Sequence, residues 1–185
     1  MTADLPREDP SDQPEPTGRP DQRDQLDQPE QGDTFHWALR PAGLHDVEEI
    51  AFAELELFPD EAWTVFQLAA EIEHRDRRYV IAARGPDATG DLLGYAGIML
   101  AGDVADLHTI GTRIEGVGIG RALLAWCEDQ ARRAGATRML LEVREGNSRA
   151  RTFYTTAGYR TIDRRRGYYR IRGRQIDALV MERDL

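Results

Sequence analysis

Three glycines alternate over five residues, Gly116-Val117-Gly118-Ile119-Gly120, directly before a stretch with helical periodicity. A helix N-terminus carries unpaired N–H groups and a partial positive charge, so it holds phosphate where the backbone can come close. Glycines remove the side chains that would block that approach. Two common nucleotide sites do not fit. A P-loop needs a lysine, and the chain has none. A dinucleotide fingerprint needs G-x-G-x-x-G in an opening βαβ unit; here the spacing is G-x-G-x-G followed by Arg121, midway along the chain. The remaining readings are a tight strand-to-helix connection or a cradle for another phosphate ligand.

Further on, Arg138-Met139-Leu140-Leu141-Glu142-Val143 reads as a central strand, apolar on both faces, interrupted by Glu142. A buried carboxylate must be hydrogen-bonded, paired with one of the many arginines, or held at a raised pKa. In the last case it suits a general base acting on an ammonium group. Asn147 can open the next helix. Tyr154 lies seven residues on, which places Asn147, Arg151 and Tyr154 on one helical face about 10 Å long. Asp106 and His108, alternating onto one face of an earlier strand, are the rival base. Cys127 falls on the apolar face of the helix after the glycines and reads as core.

The elements that must position these groups follow from local pattern. Residues 36–40 read as a strand stopped by Pro41. Asp46 can cap a helix with Val47, Ile50, Ala51, Leu55 and Phe58 at helical spacing, ended by Pro59. A second helix is expected over about 62–73, with Trp63, Phe66, Leu68, Ala69 and Ile72 apolar. Strands follow at 79–83, 92–100 and 104–112, then the glycine loop, a helix to Gly135, the strand bearing Glu142, a helix to Gly158, and closing strands at 159–170 and 175–182. This is a mixed α/β plan around one layered core.

Of 185 residues, 41% are hydrophobic and 31% charged, and the net charge is -9. Residues 1–34 hold ten acids against three arginines, 3 - 10 = -7, which leaves -2 for residues 35–185. The first segment is rich in Pro, Asp, Gln and Glu and has too few apolar side chains to offset its chain entropy, so it is expected to be a disordered tail, solvated or interacting. The nearly neutral remainder lacks the broad positive surface that duplex DNA demands. No apolar run approaches the ~20 residues that span a bilayer. The single cysteine and the absence of metal-type Cys/His spacing point to a cytoplasmic protein without metal.

Gly116 to Leu124, then Leu141-Glu142-Val143-Arg144-Glu145-Gly146-Asn147 running to Phe153-Tyr154, then Ala157-Gly158-Tyr159, together resemble the GNAT superfamily. More narrowly, with Arg165-Arg166-Gly167-Tyr168-Tyr169, Asp177 to Met181 and Phe58-Pro59…Trp63, the chain resembles the RimI-type ribosomal-protein-alanine N-acetyltransferases. The resemblance covers roughly 36–185. It implies a mostly antiparallel sheet of about seven strands with helices on both faces, in one domain over 35–185. It implies acetyl-CoA as cosubstrate, its pyrophosphate on the N–H groups of Gly116, Val117, Gly118, Ile119, Gly120 and Arg121, its pantetheine along Ile110-Gly111-Thr112, and a contact from Asn147. Glu142 would take a proton from the amine, and Tyr154 would supply one to the departing thiolate. The substrate would be a protein N-terminus, the alanine of a small-subunit ribosomal protein. A small amine or a lysine side chain, or a CoA-binding module without catalysis, are the alternatives. The arginine-rich segment 160–174 would wall the acceptor site; a solvated hairpin paired with acids, and a nucleic-acid surface of arginines interleaved with Tyr168 and Tyr169, are the competing readings. Glu115 departs from the family's usual Gln or Arg, and the stretch from Thr112 to Gly118 is about two residues shorter than typical. An acid beside a diphosphate should weaken cofactor binding.

Overall fold

A computed structural model describes residues 35–185; the expected disordered tail, 1–34, lies outside the described residues. The chain runs β1 (Trp37–Pro41), α1 (Val47–Leu57), α2 (Val65–Glu73), β2 (Arg77–Arg84), β3 (Leu92–Ala101), β4 (Val104–Thr112), α3 (Ile119–Arg133), β5 (Arg138–Arg144), α4 (Ser148–Thr156), β6 (Arg160–Ile171) and β7 (Arg174–Asp184). The seven strands form one sheet in the order β1-β2-β3-β4-β5-β7-β6. Every pairing is antiparallel except β4 with β5. Fold class and element order agree with the sequence reading.

Both faces of the sheet are covered. Leu123, Leu124, Cys127 and Ala131 of α3 pack on one face against Val80, Ala96, Ile98, Met139 and Leu141. Ile50, Ala53 and Leu68 of α1 and α2 pack on the other against Tyr79, Ile81 and Tyr95. Local expectations shift in three places. The second helix starts at Val65, because Thr64 and Gln67 form a reciprocal cap there. Phe66 is 87% exposed and Leu55 59% exposed, so neither belongs to the core that periodicity alone assigned them. Asp46 stands at the head of α1 without capping it through its side chain.

Instead Asp46 accepts two hydrogen bonds from the Arg40 guanidinium, at 2.8 and 2.6 Å, and a third from the Gly43 N–H at 2.8 Å. Burial alone would raise its pKa, but Arg40 and the Gly43 amide outweigh that and hold it below the ordinary range. A lowered folded-state pKa gives stability that is present above the unfolded value of 3.8 and is lost as pH falls toward the folded one. Asp46→Asn is therefore expected to lower unfolding free energy at pH 7 by about 2–3 kcal/mol, below the usual cost of breaking a fully buried pair because Arg40 is partly solvated. Urea midpoints at pH 7 and pH 3 check this: the gap between variant and parent should narrow at pH 3.

Two features of the sheet shape the site. β4 and β5 pair only from Val104–Arg138 to Leu107–Leu141, then part. On its other edge β4 carries a bulge: Leu107 pairs with Ile98 and Thr109 with Gly97, leaving His108 as the extra residue. Bulges bend a strand and re-aim its side chains, and they recur beside active sites.

Candidate active site

The gap between β4 and β5 opens into two cavities. The first, of about 500 Å³, is lined by Ile110, Gly111 and Thr112 of β4, by Glu115, Gly116, Gly118, Ile119, Gly120 and Arg121 of the glycine loop and α3, and by α4 from Asn147 to Tyr154. All but one of the expected cofactor residues meet here. Val117 does not line it; its side chain is 40% exposed, so only its backbone is available to a ligand.

The loop has the features an anion requires. Gly118 caps α3 with φ +86, a left-handed conformation that other residues adopt at a cost of roughly 1–2 kcal/mol. The first intrahelical bond runs from Ala122 N–H to Gly118 O at 3.1 Å, so the N–H groups of Ile119, Gly120 and Arg121 have no partner within the helix. Alternation on β4 supplies more donors. Arg113 N–H bonds back to Leu93 on β3, so those of Thr112 and Ile110, one and three residues earlier, face the opposite edge, toward the gap. Gly111 is needed for another reason: a Cβ there would lie 2.7 Å from Leu57, whose helix end closes the cleft.

α4 adds Asn147, whose Oδ1 accepts from Ala150 N–H at 3.0 Å; its amide N–H groups remain to serve a ligand. Arg151, expected beside Asn147 and Tyr154, points out and donates to Glu145 O; Ala150 and Phe153 line the cleft in its place. Tyr154 is 7% exposed, with its ring edge-on to Phe153 and Tyr159. Burial, with smaller contributions from Tyr169 and Cys127, pushes its phenol pKa well up, and no hydrogen bond contributes. The group stays a neutral proton donor.

The second cavity, of about 220 Å³, lies on the α1–α2 side of the sheet. Glu54, Glu61, Trp63, His108, Thr109, Glu142, Arg144 and Tyr169 line it. Phe58, Ile110, Asn147, Ala150 and Tyr154 line both cavities, so the two meet where β4 and β5 part. Glu142 is half-buried and pairs with Arg165 at 2.8 Å, the ion-pair alternative of those open to a carboxylate in that strand. His108 sits near Glu71, Nδ1 to carboxylate 3.4 Å without hydrogen-bond geometry, and not with Asp106, because the bulge moves it out of alternation. Cys127 is fully buried and its thiol pKa is pushed well up by that burial, so it remains core.

The arginine-rich segment is laced with ion pairs to acids and also contributes to the second cavity. Arg160 pairs with Asp184, Arg164 with Glu145 and Asp177, and Arg172 with Asp60. A second register shift, between Arg165 and Tyr169, carries Tyr169 into the second cavity, where its hydroxyl donates to Glu142 O at 3.2 Å. Glu115 pairs across the cleft mouth with Arg149. Among the described residues no cluster of three metal-ligating side chains exists, and no helix is long and apolar enough to cross a membrane.

An anion cradle on one side of a parted sheet, joined to an acidic pocket on the other, suits a transferase that brings a phosphate-bearing donor to a cationic acceptor. Residues 44–159 match the acetyltransferase (GNAT) family, and the chain belongs to that family. It is an acetyl-CoA-dependent N-acetyltransferase of the RimI-like kind. It is 37% identical over 146 residues, 75% of this chain and 87% of the relative, to N-alpha-acetyltransferase RimI of Mycobacterium tuberculosis. It is 29% identical over 147 residues, 78% of this chain and 93% of the relative, to a putative [ribosomal protein bS18]-alanine N-acetyltransferase of Bacillus subtilis. In fold it is similar to the ribosomal-protein-S18-alanine N-acetyltransferase of Escherichia coli, with a TM-score of 0.72 at 22% identity over 80% of this chain and 94% of that one.

Proposed function

We propose that this enzyme acetylates the α-amino group of a protein whose N-terminal residue is alanine, a small-subunit ribosomal protein, in the cytoplasm. The observation that carries this reading is the meeting of the two cavities at Ile110, Asn147 and Tyr154. A thioester laid along β4 from the glycine loop reaches that junction. An amine enters from the opposite face, drawn by Glu54, Glu61 and Glu142. Ion pairs from Arg144 to Glu61 and from Arg172 to Asp60 tie the α1–α2 connection to β5 and to the β6–β7 hairpin.

In this reading Glu142 takes a proton from the ammonium group through one water, and the freed amine attacks directly. The N–H of Ile110, at the junction, faces the carbonyl oxygen as it gains charge, and that of Thr112 is left to the pantetheine arm. Tyr154 donates its proton to the sulfur as it leaves. The test is thiol release from acetyl-CoA with a peptide beginning Ala-Arg, set against polyamines, aminoglycosides and a blocked peptide with one lysine. The Ala-Arg peptide should give the highest kcat/KM; a higher value for any other acceptor replaces this substrate with that one.

Glu115 bears on cofactor affinity. It lines the cleft and competes with phosphate for Arg149. Glu115→Gln removes an opposing charge and frees that arginine, so the apparent KM for acetyl-CoA is expected to fall by about two- to fivefold, the size of one charge interaction in water. A KM unchanged or raised removes the inference.

A further inference from the structure

One acid of the acceptor cavity is fully buried and has so far only its charge to offer the amine. Glu54, on α1, is 1% exposed yet lines the acceptor cavity. The Thr109 hydroxyl donates to its Oε1 at 2.9 Å. Thr109 itself is only half-buried and lines the same cavity, placed there by the bulge at His108. The other groups facing Glu54 are Tyr95 from β3, Tyr79 from β2, and the Trp63 backbone and Glu61 from the α1–α2 connection. The Tyr95 hydroxyl is buried and makes no hydrogen bond of ordinary geometry. The neighbouring acids have their own cations, Glu61 with Arg144 and Glu71 with Arg77. Glu54 has no ion pair among the described residues. A carboxyl kept dry and uncompensated is costly for a fold, and a mere anchor for Thr109 would not need its charge.

We infer that Thr109 and Glu54 form a second proton outlet for the acceptor amine, Thr109 Oγ taking a proton from the nitrogen as its own proton passes to Glu54 Oε1. This rests on the acetyl-transfer reading and completes its proton count. An ammonium substrate loses two protons on becoming an amide. The first goes to Glu142 before attack. The second leaves after the N–C bond forms, through Thr109 to Glu54. The C–S bond breaks and sulfur takes the Tyr154 proton. One of the two collected protons restores Tyr154 and the other reaches water. Burial raises the Glu54 pKa, offset only in part by Tyr95, Thr109 and the Trp63 backbone. The raised value makes the carboxylate a stronger base than an exposed one. It also means that stability is lost as pH rises above the ordinary 4.5 through the folded-state value.

The test uses the purified full chain, the best acceptor of the panel and thiol release from pH 5 to 10. Glu54→Gln and Thr109→Val are each expected to lower kcat by about 10- to 100-fold, with the KM for acetyl-CoA within about twofold of the parent. The double variant should be no slower than the slower single one, since the two act as a unit. Thr109→Ser, which restores a hydroxyl, should recover kcat to within about threefold of the parent. Glu54→Gln should also melt higher than the parent at pH 8, because its amide can donate to Tyr95 and no charge is buried. Single variants within about twofold of the parent at every pH overturn the outlet, as does a Thr109→Ser no better than Thr109→Val. If Glu54→Gln does not fold, the valine and serine variants decide on the same numbers. A parent enzyme that releases no thiol with any amine sinks the transfer reading and the outlet together; an active parent with indifferent variants sinks the outlet alone.

Discussion

Replacing Tyr154 with Phe is expected to lower kcat by about 10²–10³ and to leave acetyl-CoA affinity within about twofold. The substitution removes one oxygen and keeps the ring, so the edge-on contacts with Phe153 and Tyr159, at centroid distances of 5.2 and 5.8 Å, survive. No hydrogen bond to the hydroxyl contributes to its environment, so the fold loses none. Cofactor affinity rests on the loop and α3 amides, which the change does not touch. The loss falls on the step in which sulfur departs. An ordinary thiol titrates near 8.5, below a phenol whose pKa burial has raised, so complete transfer from a resting Tyr154 is uphill. The donation must therefore accompany C–S cleavage and be followed by return of a proton to the phenolate. The same raised value means that no phenol limb should enter the parent's pH–rate profile below about pH 10, the usual phenol value. Stopped-flow thiol release with a saturating acceptor checks both points. A kcat within about threefold of the parent would remove Tyr154 from the leaving-group role.

What the sequence made legible was local. The glycine loop, the strand bearing Glu142 and the helix bearing Tyr154 each announce themselves by patterns that span fewer than twenty residues. The element order followed, because apolar side chains such as Leu123, Cys127 and Ala131 recur at the period of the helix that buries them. What stayed hidden depends on partners far apart in the chain. Glu54 stands in an acidic run and looks like part of a solvated helix face; it is buried because Thr109, 55 residues on, reaches it from a bulge. Glu128 reads as exposed helix surface, yet it is 4% exposed and bound by Arg183 from β7 at 2.7 and 2.9 Å. Strand alternation paired His108 with Asp106, and a single extra residue undid that. Helical spacing placed Arg151 beside Tyr154. The cap turns Asn147 back on Ala150, and the first turn of α4 presents that small residue to the cleft. Even Phe66, apolar and in register, is out in solvent, for nothing in periodicity says which side of a short helix finds the sheet.

The assignment of the base turns on Glu142 and His108, which line the same cavity. Glu142→Gln is expected to lower kcat/KM by about tenfold at pH 7 and about a hundredfold at pH 6, and His108→Ala by less than about fivefold at either pH. Geometry separates them. Glu142 comes from β5 at the point where that strand leaves β4, close to Tyr154 and Asn147, and Arg165 fixes its carboxylate from β6. His108 turns toward α2, where Glu71 also accepts from Arg77 at 2.7 Å and from Tyr79 at 3.3 Å. That cluster lies behind Trp63, whose ring centre is 6.2 Å from the imidazole. The pH dependence carries the sharper distinction. An α-amino group titrates near 7.7–8.0, so an enzyme without a base must wait for the free amine, and its rate should climb about tenfold per pH unit until that range is passed. Glu142→Gln should therefore recover toward the parent above about pH 8, where the amine arrives already deprotonated. His108→Ala should follow the parent's profile throughout. A Glu142 variant depressed equally at pH 6 and pH 9 would show that the carboxylate orients Arg165 and the hairpin without taking a proton. A His108 variant with the steep rise would transfer the role to the imidazole.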